Sequence, residues 1–444
     1  MAKRLFTICA ALALFSACSI PQRDDLLRPP KPPPGYSGLA ELLSDTLDAG
    51  AVYAPPARGD TRQSIQMVDL DSDGQDEALA FFRFSEGPLL RIFVYALSDG
   101  VYARVTGIDV SGDSIDSITY RDMNGDGLTE AIVAYRLGSI KALSVYSYYD
   151  RLMTQIYTAE CSSYYLADLT GDGFPNLVLV SVDPVGTTGS VRLLRYRNSA
   201  LEEQGEAPLS TGISALARIS SGALNDGKQA LFVTSTLADG TTASLTDIFV
   251  FKDDRIENIT IDPETNTSHG TLCMQSVYPL DINGDSESVI DVPFTVELPR
   301  ADPLDEMADL VYTVSWYRYA SNGARSLTLT TYHTRQAAWY WVIPQSWADR
   351  LTISLVESSP RERATTLSFY GGEDGPHDTV VTFYTATLAQ GETFSPGDRI
   401  LLFQNESTAV TAVIGDGHQA DITEGVLREN FHLKPSEWRP GVLT

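Results

Sequence analysis

Short apolar and β-branched runs, separated by turn residues, recur along the chain from residue 64 onward. Between Ser117 and Glu160 they are SITYRD, EAIVAYR, ALSVYSYY and LMTQIYTAE. Runs of this length, bounded by turn residues, are typical of β-strands. Helical spacing occurs in Leu39 to Leu47 (LAELLSDTL), and a short helix is also expected in EGVLRENF, which begins at Glu424. The pattern predicts an all-β protein with one short helix near each end.

Nearly the same acidic loop separates two such runs three times in the first 180 residues. The copies are VDLDSDGQDEALAFF from Val68, RDMNGDGLTEAIVAY from Arg121 and ADLTGDGFPNLVLVS from Ala167. Two degenerate copies follow, SGALNDGKQALFVTS from Ser221 and PLDINGDSESVIDV from Pro279. Repeats of about 40–50 residues with four strands each are typical of β-propeller blades. The sequence therefore predicts a β-propeller of about five four-stranded blades over residues 64–335.

The three strong copies offer oxygen ligands at alternate positions, with a glycine where the backbone folds back sharply. This arrangement suits a hard cation such as Ca²⁺. The predicted ligands, including the carbonyl oxygen of the seventh residue, are Asp69, Asp71, Asp73, Gln75 and Glu77 in loop one (residues 69–77), Asp122, Asn124, Asp126, Leu128 and Glu130 in loop two (residues 122–130), and Asp168, Thr170, Asp172, Phe174 and Asn176 in loop three (residues 168–176).

The number of charged ligands falls from loop one to loop three, which predicts that Ca²⁺ affinity falls in the same order. The alternative is that Asp, Asn and Gly form tight hairpins through Asx-turns, with no ion bound. The fourth copy has Gly222 and Leu224 at ligand positions and is expected to bind nothing. The fifth has Ser286 in place of the glycine and Val289 at the ninth position, so binding is not expected there either.

EF-hand and dockerin loops begin with the same letters, but they need an acidic ligand at position twelve and helical flanks. Position twelve here is Ala80, Val133 or Leu179, and the flanks are strand-like. The loops instead resemble the FG-GAP or VCBS-type repeats of integrin α-subunit propellers and of many bacterial surface proteins. The resemblance covers about residues 64 to 335. It implies that each loop joins the innermost strand of a blade to the second strand and binds structural Ca²⁺.

The amino terminus has the features of an export signal. Lys3 and Arg4 precede an apolar stretch, Leu5 to Ala17, that is too short to span a bilayer, so residues 1–17 are predicted to be a signal peptide. The stretch ends in Phe15-Ser16-Ala17-Cys18, which resembles the lipobox of bacterial lipoproteins. The resemblance implies lipidation of Cys18 and anchoring to the cell membrane or outer membrane. The alternative is an ordinary secretory signal in which Cys18 is incidental.

A proline-rich tether over residues 18–38 and a short helix with its lead-in over residues 39–63 are expected to follow. The order of lipobox, tether, PPARGD segment and DLDSDG loop is similar to a group of bacterial lipoproteins that carries no known activity with it. From residue 336 to residue 444 the strands lack an Asp loop, which predicts a separate β-rich (α+β) domain. The alternative is one or two further loopless blades, giving six to seven in all.

The formal net charge of −26 argues against a nucleic-acid partner, because phosphate would be repelled and the sequence has no basic stripe. The sequence contains neither His-Glu-x-x-His nor Gly-x-Ser-x-Gly. The favoured function is a non-enzymatic, lipid-anchored envelope scaffold that binds a protein or a polysaccharide. The alternative is an envelope carbohydrate hydrolase or lyase that uses two carboxylates in a propeller cleft.

Two further expectations concern the aromatic residues and the cysteines. Aromatic pairs on a strand point to opposite faces, so most members of each cluster should be core. If one cluster is exposed as a sugar or peptide platform, it is expected to be the group Trp339, Tyr340, Trp341 and Trp347. Cys161 and Cys273 are expected to be buried free thiols, with a disulfide between them as the alternative.

Overall fold

A computed structural model describes residues 36–87, 89–183, 185–285, 288–302, 310–334, 338–372, 377–418, 422–435 and 438. The predicted signal peptide, the predicted lipidation residue Cys18 and most of the predicted tether lie outside these residues. The chain divides into two compact units. Unit one holds the described residues up to Thr119 with Tyr135–Gly138 and Ser147–Thr154. Unit two holds Tyr120–Ala134, Ser139–Tyr146 and the described residues from Gln155 onward.

The described residues form two α-helices and six sheets, so the expectation of an all-β protein is confirmed. Helix α1 is Tyr36–Asp48, which includes the stretch with helical spacing, and helix α2 is Glu424–Glu429. In sheets two to four the strands pair with their neighbours in chain order. This is the topology of a meander, in which short hairpins connect adjacent strands. None of the helices in the described part of the chain has the length and apolar character needed to cross a membrane.

The strand bounds are as follows. Sheet one contains β1 Val52–Tyr53, β2 Ile65–Val68, β3 Glu77–Arg83, β4 Leu90–Ser98 and β5 Val101–Val110. Sheet two contains β6 Ser114–Arg121, β7 Glu130–Leu137, β8 Ile140–Tyr149 and β9 Leu152–Glu160. Sheet three contains β10 Ser163–Ala167, β11 Asn176–Asp183, β12 Thr188–Arg197 and β13 Ala200–Pro208. Sheet four contains β14 Ile213–Ala223, β15 Gln229–Leu237, β16 Ser244–Lys252 and β17 Arg255–Asn258.

Sheets five and six complete the set, and each has five strands. Sheet five contains β18 Asp291–Glu297, β19 Tyr312–Tyr319, β20 Arg325–His333, β21 Trp339–Ile343 and β27 Phe431–Leu433. Sheet six contains β22 Leu351–Ser359, β23 Glu362–Phe369, β24 Asp378–Thr387, β25 Ile400–Gln404 and β26 Thr408–Ile414. Strand β21 pairs with β20 on one side and with β27 on the other. Sheet five therefore extends past the domain boundary expected at residue 335.

In unit two, sheets that are consecutive in the chain bury their apolar faces against each other. One cluster joins sheets two and three, the next joins three and four, a third joins four and five, and a fourth joins five and six. Burial of continuous apolar faces is the main favourable contribution to such packing. Representative pairs from these clusters are Ile132 and Leu179, Val191 and Phe249, Phe232 and Tyr319, and Trp341 and Phe383.

Unit one has a core of its own. Leu39 and Leu43 of α1 belong to a buried cluster with Ala80, Phe82 and Tyr95 of sheet one. The two leucines are four residues apart and therefore lie on the same face of the helix. The amphipathic spacing seen in the sequence is thus explained by the packing of α1 against the strands that flank loop one.

Trp339, Tyr340 and Trp341 are all buried, as expected for most members of the aromatic clusters, so they do not form the exposed platform that was the alternative. Trp339 and Trp341 belong to the cluster shared with sheet six, and Trp347 packs against that cluster. Tyr340 faces the other side of β21, where Trp316 and Trp438 belong to its cluster. Side chains alternate between the two faces of a strand, and here both faces of β21 are covered.

Candidate metal centres

Loop one joins β2 to β3 and gathers three carboxylates. Asp69, Asp71 and Glu77 each bring one oxygen to within 4.8 Å of the other two. Within the described ranges this is the only group of three His, Cys, Asp or Glu side chains whose ligand atoms approach so closely. Asp73, also predicted as a ligand, lies outside this group of three. The loop thus brings together three of the four carboxylates named from its sequence.

The backbone of loop one explains how these carboxylates meet. The carboxylate of Asp69 accepts hydrogen bonds from the N–H groups of Asp73 and Gly74, at 3.2 and 3.0 Å. Oε2 of Glu77 accepts one from the Leu70 N–H at 2.9 Å, which holds the end of the loop against its beginning. Gly74 has a φ of 83°, a conformation that glycine adopts without a steric penalty. The first and ninth ligands therefore lie side by side although eight residues separate them in sequence.

The electrostatics of loop one favour a cation. Glu77 is only 3% exposed, and burial raises its pKa to about 7, assisted by the charges of Asp71, Asp73 and Asp69 and opposed by the Leu70 N–H. Burial also raises the pKa of Asp71, and the neighbouring Asp73 charge adds to the effect. Oδ1 of Asp71 is buried and has no hydrogen-bond partner. Clustered carboxylates with raised pKa values and an unsatisfied oxygen fit a divalent ion bound among them.

Tyr148 of β8 adds a second buried polar atom beside loop one. The side chain is fully buried, and its hydroxyl group has no hydrogen-bond partner. Burial raises the pKa of Tyr148, and the charges of the loop-one residues Glu77 and Asp71 raise it further. Buried polar atoms are normally hydrogen-bonded, and both this hydroxyl and Asp71 Oδ1 lack the partner that such atoms usually have.

Loop two joins β6 to β7 and repeats the local geometry of loop one. Asp122 accepts hydrogen bonds from the N–H groups of Gly125 and Gly127, at 2.6 and 3.0 Å. Glu130 accepts one from the Met123 N–H at 3.0 Å, as Glu77 does from Leu70. Asn124 donates its side-chain N–H to Asp126 at 2.9 Å. The bond from the sixth-residue N–H to the first residue and the bond from the second-residue N–H to the ninth residue are thus shared with loop one. The carboxylates of loop two do not form a close group of three among the described residues.

Loop three joins β10 to β11 with the same hydrogen bonds, but one of its carboxylates has a protein cation as partner. Asp168 accepts from the N–H groups of Gly171 and Gly173, and Asn176 Oδ1 accepts from the Leu169 N–H at 3.0 Å. The guanidinium of Arg195 forms an ion pair with Asp172. Partial burial raises the pKa of Asp172, but the Phe174 N–H and Arg195 more than offset this, and the net shift is downward.

The seventh residues of the three loops occupy equivalent places. The N–H of each donates to the carboxylate of the fifth residue, from Gln75 to Asp73 at 2.7 Å, from Leu128 to Asp126 at 2.8 Å and from Phe174 to Asp172 at 3.2 Å. Their carbonyl oxygens stay predicted ligands. Thr170 donates its hydroxyl to Asp168 at 3.4 Å, so this predicted ligand also lies beside the first residue of its loop.

The cysteines and the cavity bear on other kinds of site. Cys161 and Cys273 are free thiols, as expected, but only Cys273 is fully buried. Burial raises the pKa of Cys161 to about 11 and that of Cys273 to about 12, so neither is a ready nucleophile. A cavity of about 410 Å³ in unit two is lined mainly by hydroxyl and amide side chains together with Tyr278, and no Asp or Glu is among its lining residues.

No protein-family model and no curated protein matches the sequence. Among solved structures, the chain is similar to the exotype rhamnogalacturonan lyase YesX, at 12% identity and a TM-score of 0.32, with 82% of this chain and 76% of that chain covered. It is also similar to the rhamnogalacturonan lyase YesW, at 11% identity and a TM-score of 0.29, with 82% and 72% covered. At TM-scores this low, the likeness supports no assignment of activity.

Proposed function

We propose that the chain is a lipid-anchored envelope protein whose β-propeller is stabilised by Ca²⁺ and acts as a binding scaffold without catalytic activity. The observation that supports the metal most directly is the group formed by Asp69, Asp71 and Glu77. Its buried, unpartnered oxygen and raised pKa values make the metal-free loop electrostatically unfavourable. Ca²⁺ suits the site better than Mg²⁺, because flexible loops with several direct oxygen ligands match its larger coordination sphere.

The propeller is supported by the order of the sheets in the chain. In unit two, the residues of sheets two to five bury apolar faces against the neighbouring sheets, as propeller blades do, and each of these sheets is associated with one copy of the loop. Sheet six packs on sheet five through the same kind of apolar face. This favours the alternative in which the C-terminal strands supply a further, loopless blade. In this arrangement Ca²⁺ stiffens the hairpins at one end of each metal-binding blade.

Cys18 would hold the protein at the membrane, and the proline-rich residues 18–38 would keep the folded part away from the lipid. The ligand would be a protein or a polysaccharide, since the net charge of −26 disfavours nucleic acid. The carbohydrate hydrolase or lyase stays the alternative prediction. Two facing carboxylates would be needed for it.

Titration of the chelator-treated protein with Ca²⁺ tests the metal proposal, with Mg²⁺ at the same concentration as the matched control. We expect Ca²⁺ to release heat and raise the melting temperature, and Mg²⁺ to do so much less. A protein that shows neither heat nor a thermal shift with Ca²⁺ would refute the proposal. A glycan array and a pull-down from envelope extract, each with Ca²⁺ and with chelator, would then identify the ligand class.

A further inference from the structure

The fifth, degenerate copy of the loop contains a cation supplied by the protein. In this copy, named loop five, the side chains of Asp281, Asn283, Asp285 and Asp291 lie around the guanidinium of Arg318, which comes from β19. Its two terminal nitrogens contact Asp285 at 2.6 and 3.2 Å, in the bidentate geometry that guanidinium groups favour with carboxylates. The same group donates to the side-chain oxygen of Asn283 at 3.1 Å and lies 3.8 Å from Asp281. Arg318 thus contacts the first, third and fifth positions of the loop.

Asp291 supplies the ligand that loop five lacks at the ninth position. Its Oδ2 accepts a hydrogen bond from the Ile282 N–H at 3.4 Å, the bond that Glu77, Glu130 and Asn176 accept in the other loops. Asp291 is completely buried, and Oδ1 is 3.2 Å from Nε of Arg318. The sequence spacing placed Val289 at this position, whereas the structure places Asp291 there. Loop five therefore has three carboxylates and one amide around one arginine, the same side-chain types as the predicted ligands of loop two.

The position of this arginine in the sheet is repeated in loop three. Arg318 lies directly opposite Asp291 on the neighbouring strand. In sheet three, Leu177 lies opposite Leu194, so the next residue, Arg195, occupies the position facing the ninth residue, Asn176. Arg195 contacts one carboxylate, that of Asp172, whereas Arg318 contacts three. In sheet one the corresponding residue is the buried Ala96, which follows Tyr95 opposite Ala78 and brings no charge to loop one.

We propose that Arg318 takes the place of the divalent ion in loop five, and that Arg195 does so in part in loop three. The residue facing the ninth loop position thereby decides which repeats bind Ca²⁺. Ala96 leaves the site in loop one available to the metal, whereas the guanidinium of Arg318 occupies the site in loop five. Arg318 is a specificity-determining residue for the metal, and loop five is a site whose cation is built into the chain. This inference rests on the proposed function, because it compares loop five with a loop one that binds Ca²⁺. Its test measures ions gained by Arg318 variants and therefore does not depend on loop one.

The test counts Ca²⁺ ions bound per purified full-length chain by equilibrium dialysis. We expect Arg318→Met, which keeps an unbranched apolar stem but removes the guanidinium and its charge, to bind one more ion than the unsubstituted chain. Without Ca²⁺ this variant should melt at a lower temperature, because Asp281, Asp285 and Asp291 then repel one another, and Ca²⁺ should restore the loss. Arg318→Lys is the matched control, which keeps a positive charge and should gain no ion.

A folded Arg318→Met chain that binds no additional ion would overturn the proposal, and so would a gained ion in Arg318→Lys. If Arg318→Met does not fold even with Ca²⁺, Arg195→Met tests the same rule at loop three, where the arginine has one carboxylate partner instead of three. Its Ca²⁺ affinity at loop three should rise about tenfold, which corresponds to the removal of one competing charge, and an unchanged affinity would overturn the proposal. If the unsubstituted chain binds no Ca²⁺, the proposed function is refuted. The role proposed for Arg318 would still be testable, because one ion bound by Arg318→Met could be measured against none bound by the unsubstituted chain.

Discussion

An Asp71→Asn substitution removes one carboxylate from the group in loop one while keeping the size of the side chain. Asp71 carries the buried oxygen without a partner, and burial, together with the charges of Asp73 and Asp69, raises its pKa. Without metal, the substitution should leave the melting temperature unchanged or raise it, because it relieves repulsion among like charges. With Ca²⁺ it should reduce the stabilisation by the ion. The two effects have opposite signs, which a purely structural role of Asp71 would not produce.

The size of the effect follows from linkage. Ca²⁺ present at about one hundred times its dissociation constant stabilises the folded protein by about 2.7 kcal/mol. For a domain of 150–250 residues this corresponds to a rise in melting temperature of roughly 5–10 °C. Changes around a metal site typically lower affinity about 10–100-fold. A hundredfold loss leaves only about 0.4 kcal/mol at the same Ca²⁺ concentration, or roughly 1 °C.

The assay is differential scanning fluorimetry of the chelator-treated protein with and without Ca²⁺. Asp76→Asn is the matched control, because Asp76 is an exposed residue of the same loop and lies outside the group of three. It loses the same charge, and its backbone carbonyl keeps the hydrogen bond from the Tyr102 hydroxyl. The control should retain the Ca²⁺ shift of the unsubstituted protein. An Asp71→Asn protein that also retains the full shift would show that this carboxylate does not bind the ion.

Three further predictions follow from other residues. Tyr148→Phe should leave the metal-free protein as stable or more so, because it removes a buried hydroxyl without a partner, and should reduce the Ca²⁺ shift; Tyr149→Phe, at the exposed neighbour, should change neither melting temperature. His333 is buried, and burial, with a smaller contribution from Lys434, lowers its pKa well below the usual value. Below about pH 6.5 the unfolded chain therefore binds a proton that the folded chain does not, so the free energy of unfolding decreases as the pH falls. His333→Gln should reduce the fall in melting temperature between about pH 6.5 and 5. His269→Gln, at an exposed histidine, is the control and should leave that fall unchanged. Cys18→Ser should move the protein from the membrane pellet to the soluble fraction after cell lysis, and an unchanged distribution would exclude anchoring through this residue.

The sequence alone determined the elements and their chemistry. Alternating and continuous β-branched runs specify strands, because side chains on a strand repeat with a period of two and only one register buries the apolar set. The Asp-x-(Asp/Asn/Thr)-x-Asp-Gly letters specify the hairpin loops, because Asp69, Asp122 and Asp168 find their backbone partners within five residues. Such local interactions require no knowledge of the rest of the chain. It was therefore possible to predict the strands, the helix at Leu39 to Leu47 and the hairpin loops that are held by hydrogen bonds to their first aspartate.

Contacts between distant residues were decided only by the tertiary structure. Arg318 reaches Asp291 across 27 residues of sequence, and Arg195 reaches Asp172 across 23. The identity of an arginine does not reveal which carboxylate its strand will bring opposite to it. Period-two alternation likewise indicates that the two faces of β21 differ, but only the pairing with β27 and the packing of sheet six show that both are covered. Ligand spacing is local and was visible in the letters, whereas the arginines that contact loops three and five come from neighbouring strands that folding alone brings together.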